Sequence, residues 1–205
     1  MNRRTIYPEG VVAILPPRLF ACSDYYALMA RYRRVVVDAA LRYDKRDKAV
    51  HRFTIAEPRG AVALTVPVSR PAGAFATGTL AWNQVTVSAH GRWWETIPST
   101  LATAYGRSPF FEFYIDRLMP IFAEPMGQTI TDLDERADAI VRAILGIPVE
   151  VLSEVPADAT EVHDYRRTAL PTLTRPYWQI HPTDGPLSIL DLIFNTGTEA
   201  PLHLV

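Results

Sequence analysis

The densest group of chemically able residues is Arg42-Tyr43-Asp44-Lys45-Arg46-Asp47-Lys48, which runs on to His51-Arg52. It follows the β-branched run Val35 to Asp38, so it reads as a loop at a strand's C-terminal end. Several cations placed there can grip a phosphate or carboxylate through charge-assisted hydrogen bonds. The plainer alternative is a solvated loop whose Asp44 and Asp47 already neutralise half of those cations. The second candidate is Asp191, inside the apolar run Leu187-Ser188-Ile189-Leu190-Asp191-Leu192-Ile193-Phe194. A carboxylate buried in such a run must be paired or hydrogen-bonded, whether it serves structure or catalysis.

Other groups weigh less. Trp93, Trp94, Tyr105, Phe110, Phe111, Phe113 and Tyr114 form an aromatic belt that could stack a sugar or a base. At helical spacing such a belt is more often core. Cys22, a lone thiol near a predicted helix start, could act as a nucleophile, although most cysteines of this kind are buried filler. The histidines at 51, 90, 163, 181 and 203 never recur at the i, i+4 spacing that pairs two on a helix face. There is no Gly-rich phosphate loop, G-x-S-x-G elbow, H-E-x-x-H or cysteine pair, so the common nucleotide, hydrolase and zinc templates find no foothold.

The 205 residues are 48% hydrophobic and 21% charged, the composition of a globular chain able to bury a sizeable core. One domain over 1–205 is the simplest organisation. With 21 Lys and Arg against 22 Asp and Glu, the formal charge is −1 and no global field draws in nucleic acid or an anionic membrane. The single cysteine excludes an internal disulfide. Val11 to Leu15, the first apolar stretch, is cut short by Pro16-Pro17 and is too brief for a signal-peptide core or a membrane span. We therefore expect a cytoplasmic protein without membrane insertion. No repeat appears, and nothing in the sequence sets an oligomeric state.

These candidates must be positioned by elements that the pattern also predicts. Val11 to Leu15 reads as a strand, Ser23 as the N-cap of a helix ending near Arg33-Arg34, and Val35 to Asp38 as a second strand. Strand, helix and strand in so short a stretch form a crossover unit with parallel pairing. His51 to Ala56 and Ala61 to Val66 form a hairpin around Glu57-Pro58-Arg59-Gly60. Arg70 to Gly78 is a surface loop, and Gln84 to Ser88 is a strand. Helices follow over Trp93 to Tyr105, from an N-cap at Ser108-Pro109 to about Phe122, and from a Thr131/Asp134 capping pair to a stop at Gly146. Val149 to Leu152 and Pro176 to Ile180 suit strands, and Leu187 to Phe194 suits a last short helix. The order predicts an α/β fold with a mixed sheet, a βαβ start, a β-hairpin and a C-terminal helical cluster; an α+β arrangement is the alternative.

With these residues in place, the chain resembles the WbqC-like family of bacterial proteins over most of its length. Three stretches carry the likeness. The first is Leu15-Pro16-Pro17 with Tyr25-Tyr26, Val35-Val36-Val37-Asp38, Tyr43-x-Lys45, Arg52 and Leu64-Thr65-Val66-Pro67-Val68. The second is Trp93 with Ala104-Tyr105-Gly106-Arg107-Ser108-Pro109-Phe110-Phe111-Glu112-Phe113-Tyr114. The third is Pro176-Tyr177-x-Gln179 with Leu187 to Asn195. The chain departs from the family pattern in having His51-Arg52 where Asn-Arg is usual. It also has Ile97 where a histidine four residues after the tryptophan would fall.

The resemblance implies a role in O-antigen or other surface polysaccharide synthesis, on a small-molecule ligand such as a sugar nucleotide or an acyl donor. A transferase that attaches an acyl or aminoacyl group to an amino sugar fits that setting, and positioning chemistry of this kind calls for neither metal nor cofactor. Under this reading Lys45 and Arg52 hold phosphate or carboxylate, and Tyr43, Tyr105 and Tyr177 line the pocket with Trp93, Ser108, Gln179 and Asn195. Ser188 and Asp191 orient or deprotonate an attacking amine, and His51 or His90 replaces the histidine absent at Ile97. The rival expectation is a noncatalytic binding or assembly protein with a degenerate site. In a third, Tyr43, Lys45 and Arg52 only brace the hairpin.

Overall fold

The computed structural model describes residues 6–72, 79–125 and 127–204. Strand β1 (Val11–Leu15) leads through helix α1 (Ser23–Met29) to β2 (Arg34–Val37). The hairpin of β3 (Arg52–Glu57) and β4 (Gly60–Thr65) follows, turning at Pro58-Arg59, and then the short strands β5 (Val68–Ser69) and β6 (Thr86–Val87). Helices α2 (Trp93–Tyr105), α3 (Phe111–Leu118) and α4 (Ile130–Leu145) come next, then β7 (Glu150–Leu152), β8 (Glu161–Asp164), α5 (Ile189–Thr196) and α6 (Ala200–His203). The loop predicted over Arg70 to Gly78 lies largely outside the described residues.

The main sheet has the order β7-β2-β1-β8 and is parallel throughout. Among the strands of the described residues, β3 with β4 and β5 with β6 pair antiparallel, so the mixture lies across the molecule and not within one sheet. The fold is α/β, opened by the expected βαβ unit. Val12, Ala13 and Val35 are fully buried, as strands covered on both faces require. One apolar cluster joins β1, β2, the hairpin, α1, α2, α4 and α5.

Several local expectations change. The N-cap of α1 is Cys22, not Ser23, and the helix stops at Met29 because Arg34 is already drawn into the ladder with Val12. Ser108 caps nothing: its Oγ donates to the carbonyl of Tyr105 at 2.7 Å, and α3 begins at Phe111. Pro176 to Ile180 forms no strand. The strand that completes the sheet is β8, whose Glu-Val-His-Asp sequence sits at an exposed edge and shows no apolar alternation.

The cap of α4 lies two residues before the expected pair. Thr129 Oγ1 accepts from the amide of Asp132 at 3.2 Å, and the Asp132 carboxylate accepts from the amide of Thr129 at 2.9 Å. Thr131 and Asp134 are therefore inside the helix and buried. The apolar stripe Ile130, Leu133, Ala137, Val141 and Leu145 faces the core, and Gly146 ends the helix at φ 61°. Thr129→Ala should lower the free energy of unfolding by about 1 kcal/mol, read from urea denaturation at an unchanged slope.

Candidate functional site

Around β1 the chain connections diverge. The crossover through α1 carries the chain to β2 on one side, whereas β8 arrives on the other side from distant β7. At such a switch point the loops at the C-terminal strand ends part and leave a crevice, the usual ligand position in an open parallel sheet. Here the crevice is a cavity of about 810 Å³. Arg18 enters it from the loop after β1, Arg42, Tyr43, Asp44, Arg46 and Asp47 from the loop after β2, and Arg166, Arg167, Thr168 and Ala169 from the segment after β8.

Three of these five arginines are held in place. Arg18 Nη1 donates to Asp47 at 2.9 Å and to the carbonyl of Pro17 at 3.1 Å. Arg46 lies 3.3 Å from Asp44, whose carboxyl is drawn below the ordinary range by the Arg46 amide and then by its guanidinium. Arg166 bridges two loops, giving Nη1 to Asp38 at 2.7 Å and Nη2 to Asp164 at 2.7 Å, and holds the Asp164 carboxyl low. Arg42 and Arg167 are exposed and form no ion pair among the described residues. Two unpaired guanidinium groups on a braced rim suit a doubly charged oxyanion. Tyr43 supplies an aromatic wall, tilted on Trp82 at 4.6 Å with the Arg70 guanidinium 5.8 Å over its ring. Lys45 is exposed and is not part of the lining.

Asp191 sits elsewhere, at the start of α5, fully buried. Its Oδ1 accepts from Tyr105 OH at 2.8 Å, and its Oδ2 accepts from Tyr177 OH at 2.7 Å and from the Gln179 amide at 2.8 Å. Tyr105 OH also accepts from the amide of Ala56, which ties the hairpin to the helices. Burial first, and then the Asp191 charge, push both tyrosines well above their ordinary pKa. Asn195 donates to the Asp191 carbonyl at 2.7 Å and accepts from the amide of Ile180 at 2.9 Å. Ser188 is the N-cap of α5: its Oγ accepts from the Leu190 amide and donates to the carbonyl of Phe20 at 2.9 Å.

Asp191, Tyr105, Tyr177, Gln179 and Asn195 are thus brought together, with Ser188 one turn away. Two small hollows flank the group. One, of about 220 Å³, includes Arg18, Cys22, Arg52 and Ser188; the other, of about 280 Å³, includes Cys22, Tyr177 and Gln179. They share Cys22, Pro186 and Leu187, and the first shares Arg18 with the large cavity. Arg52 donates from Nε to Thr65 Oγ1 at 2.8 Å, across the hairpin to the residue opposite it in register. Burial raises the pKa of the Cys22 thiol, the opposite of what activates a nucleophile.

The remaining residues lie apart from that group. His51 is buried against Trp82, with Nδ1 3.0 Å from the carbonyl of Val66. Trp93 donates from Nε1 to the Ser88 carbonyl at 3.0 Å, and it shares a hollow of about 360 Å³ with His90 and the buried Ile97. Arg18, Arg166 and Arg167 were not legible as site residues. Their only sequence signal is that they follow strands, and β8 carries no strand pattern.

A parallel sheet with an arginine-lined hollow at its switch point defines an α/β domain with a cationic crevice at the C-terminal ends of its strands. The chain belongs to the WbqC-like protein family, whose model matches residues 17–169. That span contains every residue of the large cavity, while Tyr177, Gln179, Asp191 and Asn195 lie beyond it. No curated protein and no solved structure matches the chain.

Two outcomes follow from this geometry. Asp191→Ala strands the Tyr177 hydroxyl and the Gln179 amide and should destabilise the fold by about 3 kcal/mol in urea unfolding, with Tyr177→Phe costing about 1. Burial lowers the pKa of His51 below its ordinary value. The unfolded chain therefore takes up a proton first as the pH falls. The stability held above about pH 6.5 declines below it. His51→Asn should flatten this part of the stability profile between pH 5 and 7, measured by urea midpoints.

Proposed function

We propose that this protein binds a phosphate-bearing small molecule of the sugar-nucleotide class in the arginine-lined cavity and acts on it as a cytoplasmic transferase in surface polysaccharide synthesis. The observation that carries the reading is the pair of uncommitted guanidinium groups, Arg42 and Arg167, on a rim braced by Arg18, Arg46 and Arg166. A diphosphate offers the charge and oxygens they fit, and Tyr43 offers a ring face for a base or sugar. A volume near 810 Å³ lies within the range of small-molecule sites.

The transfer we infer moves an acyl or aminoacyl group to an amino sugar. The amine nitrogen attacks the donor carbonyl, a C–N bond forms, the bond from carbonyl carbon to leaving group breaks, and the amine proton passes to a base. Such a reaction gains most from orientation. Ser188 and Asp191 do not line that cavity and serve the reading only through the framework, where their oxygens tie α5 to the Phe20 carbonyl, Tyr105 and Tyr177. Cytoplasmic placement agrees with the finding that no helix among the described residues is long and apolar enough to cross a membrane.

One observation favours a binding protein without turnover. The position where family likeness sets a histidine is Ile97, which is buried and cannot transfer a proton. The two readings share the ligand and part at catalysis.

Titration calorimetry with a panel of uridine and thymidine diphosphate sugars tests the shared claim. Arg42→Ala/Arg167→Ala should weaken binding at least tenfold and flatten its salt dependence, with thermal stability unchanged. If the unaltered chain gives neither heat nor thermal shift with sugar nucleotides, free sugars or acyl donors, the proposal fails. Binding without product in a donor–acceptor assay selects the second reading.

A further inference from the structure

A second large hollow adjoins the first, with Arg18 in the wall of both. It measures about 600 Å³ and lies at the C-terminal ends of β2 and β7, under one face of α4. Thr131, Asp134, Glu135 and Asp138 line it at the i, i+3, i+4 and i+7 positions, a single stripe of that helix. Asp38 and Asp132 add two more carboxylates, so five acids face one cation.

Three of those acids have partners. Asp38 accepts from Arg166, Asp138 accepts from Arg142 at 2.6 Å, and Asp132 is spent in the helix cap. Asp134 is different. It is only 3% exposed, and neither of its carboxylate oxygens has a hydrogen-bond partner among the described residues. Arg18 offers no relief, since its Nη1 goes to Asp47 and to the Pro17 carbonyl. A buried carboxyl group left without a donor is unfavourable, and the cavity it lines has room for a ligand that brings one.

We propose that this acidic cavity binds the primary ammonium group of a small molecule, with the Asp134 carboxylate as its anchor. An ammonium is a compact charge with three donors, so one can meet Asp134 while others reach neutral oxygens of Thr131 or Asn83, which share the wall. A divalent metal fits less well. Among the described residues no three Asp, Glu, His or Cys side chains converge closely enough to ligate one. Binding of the amine stands on this cavity alone, whereas its role as the acceptor of a transferred group rests on the transferase reading above.

Binding carries a proton signature. The groups facing Asp134 are Arg18 from the β1 loop, Tyr25 from α1, Asp38 from the end of β2, and Glu135 and Asp138 from its own helix. Burial holds Asp134 well above the carboxylate range, with Arg18 opposing and Asp138 adding to the effect. Burial also keeps Tyr25 protonated. The free acid must ionise to hold an ammonium, so binding releases a proton, and affinity rises with pH until the amine itself is deprotonated.

Calorimetry on the full chain with ethanolamine, putrescine and glucosamine, in two buffers of different ionisation enthalpy at pH 6, tests this directly. N-acetylglucosamine serves as the neutral control. The expected result is saturable binding of an amine with net release of protons, affinity that rises with pH on the acid side of neutrality, and no binding of the control. Asp134→Asn, which matches the protonated acid in shape, should weaken the amine at least tenfold and abolish the proton release. The proton count is read on the unaltered chain, so it decides the matter even if that variant fails to fold. Arg42→Ala/Arg167→Ala should leave the amine response intact, which separates this claim from the anion site. Silence from all three amines, equal binding by N-acetylglucosamine, affinity flat with pH, or a response to calcium ions alone would overturn the proposal.

Discussion

The parallel pairing of β1 with β2 on one side and β8 on the other is the constraint from which the rest descends. Val12 and Ala13 are fully buried, so their backbone groups find partners only in neighbouring strands, and both ladders are satisfied over most of the strand. A strand held from both sides in parallel fixes where its neighbours' C-terminal ends lie. Their loops must leave at the same edge and in different directions. The hollow at that edge is a consequence of topology, and the side chains decide only what it accepts. Arg166 then locks the opening by bonding Asp38 after β2 and Asp164 at the end of β8, two segments 128 and 2 residues away in sequence.

Opposite charges divide that edge. On one side of Arg18 lie four more arginines, and on the other lie five carboxylates. The near-neutral chain conceals this separation, because a formal charge of −1 averages over two fields that a ligand would meet separately. Arg18 tolerates its place between them because its guanidinium is tied to Asp47 and Pro17 and its side chain is only 19% exposed. A molecule carrying a phosphate and an amine, or two molecules carrying one each, would find matched surroundings on either side of one residue.

How far the sequence announced this depends on whether a signal was local. The βαβ opening, the hairpin at Pro58-Arg59 and helix α2 were legible because each rests on contiguous apolar pattern and turn chemistry. The cationic loop after β2 was legible as well, since composition and its place behind a strand both point to it. Strand β8 was not. An edge strand reading Glu-Val-His-Asp buries little, so its pairing comes from β1 and leaves no periodic trace in its own residues. Without β8 the positions of Arg166 and Arg167 could not be inferred. The capping spacing of Thr131 and Asp134 misled for a related reason. Thr129 and Asp132 present the same spacing two residues earlier, and Asp132 alone is placed to reach back to the amide of Thr129.

Asp191 shows what a correct local inference leaves open. Its position in an apolar run requires partners, and three donors meet it: Tyr105, Tyr177 and Gln179, drawn from α2 and from the irregular segment before α5. Those partners account for its burial without any ligand. Asp134 is also buried, on the inner stripe of α4, yet no donor among the described residues reaches it. Of two buried carboxylates in one fold, the satisfied one holds the protein together, and the unsatisfied one is where an external donor has most to gain. The contrast separates a satisfied framework carboxylate from one with unmet hydrogen-bonding capacity. Asp191, the carboxylate most visible in the sequence, stands on the satisfied side of that contrast.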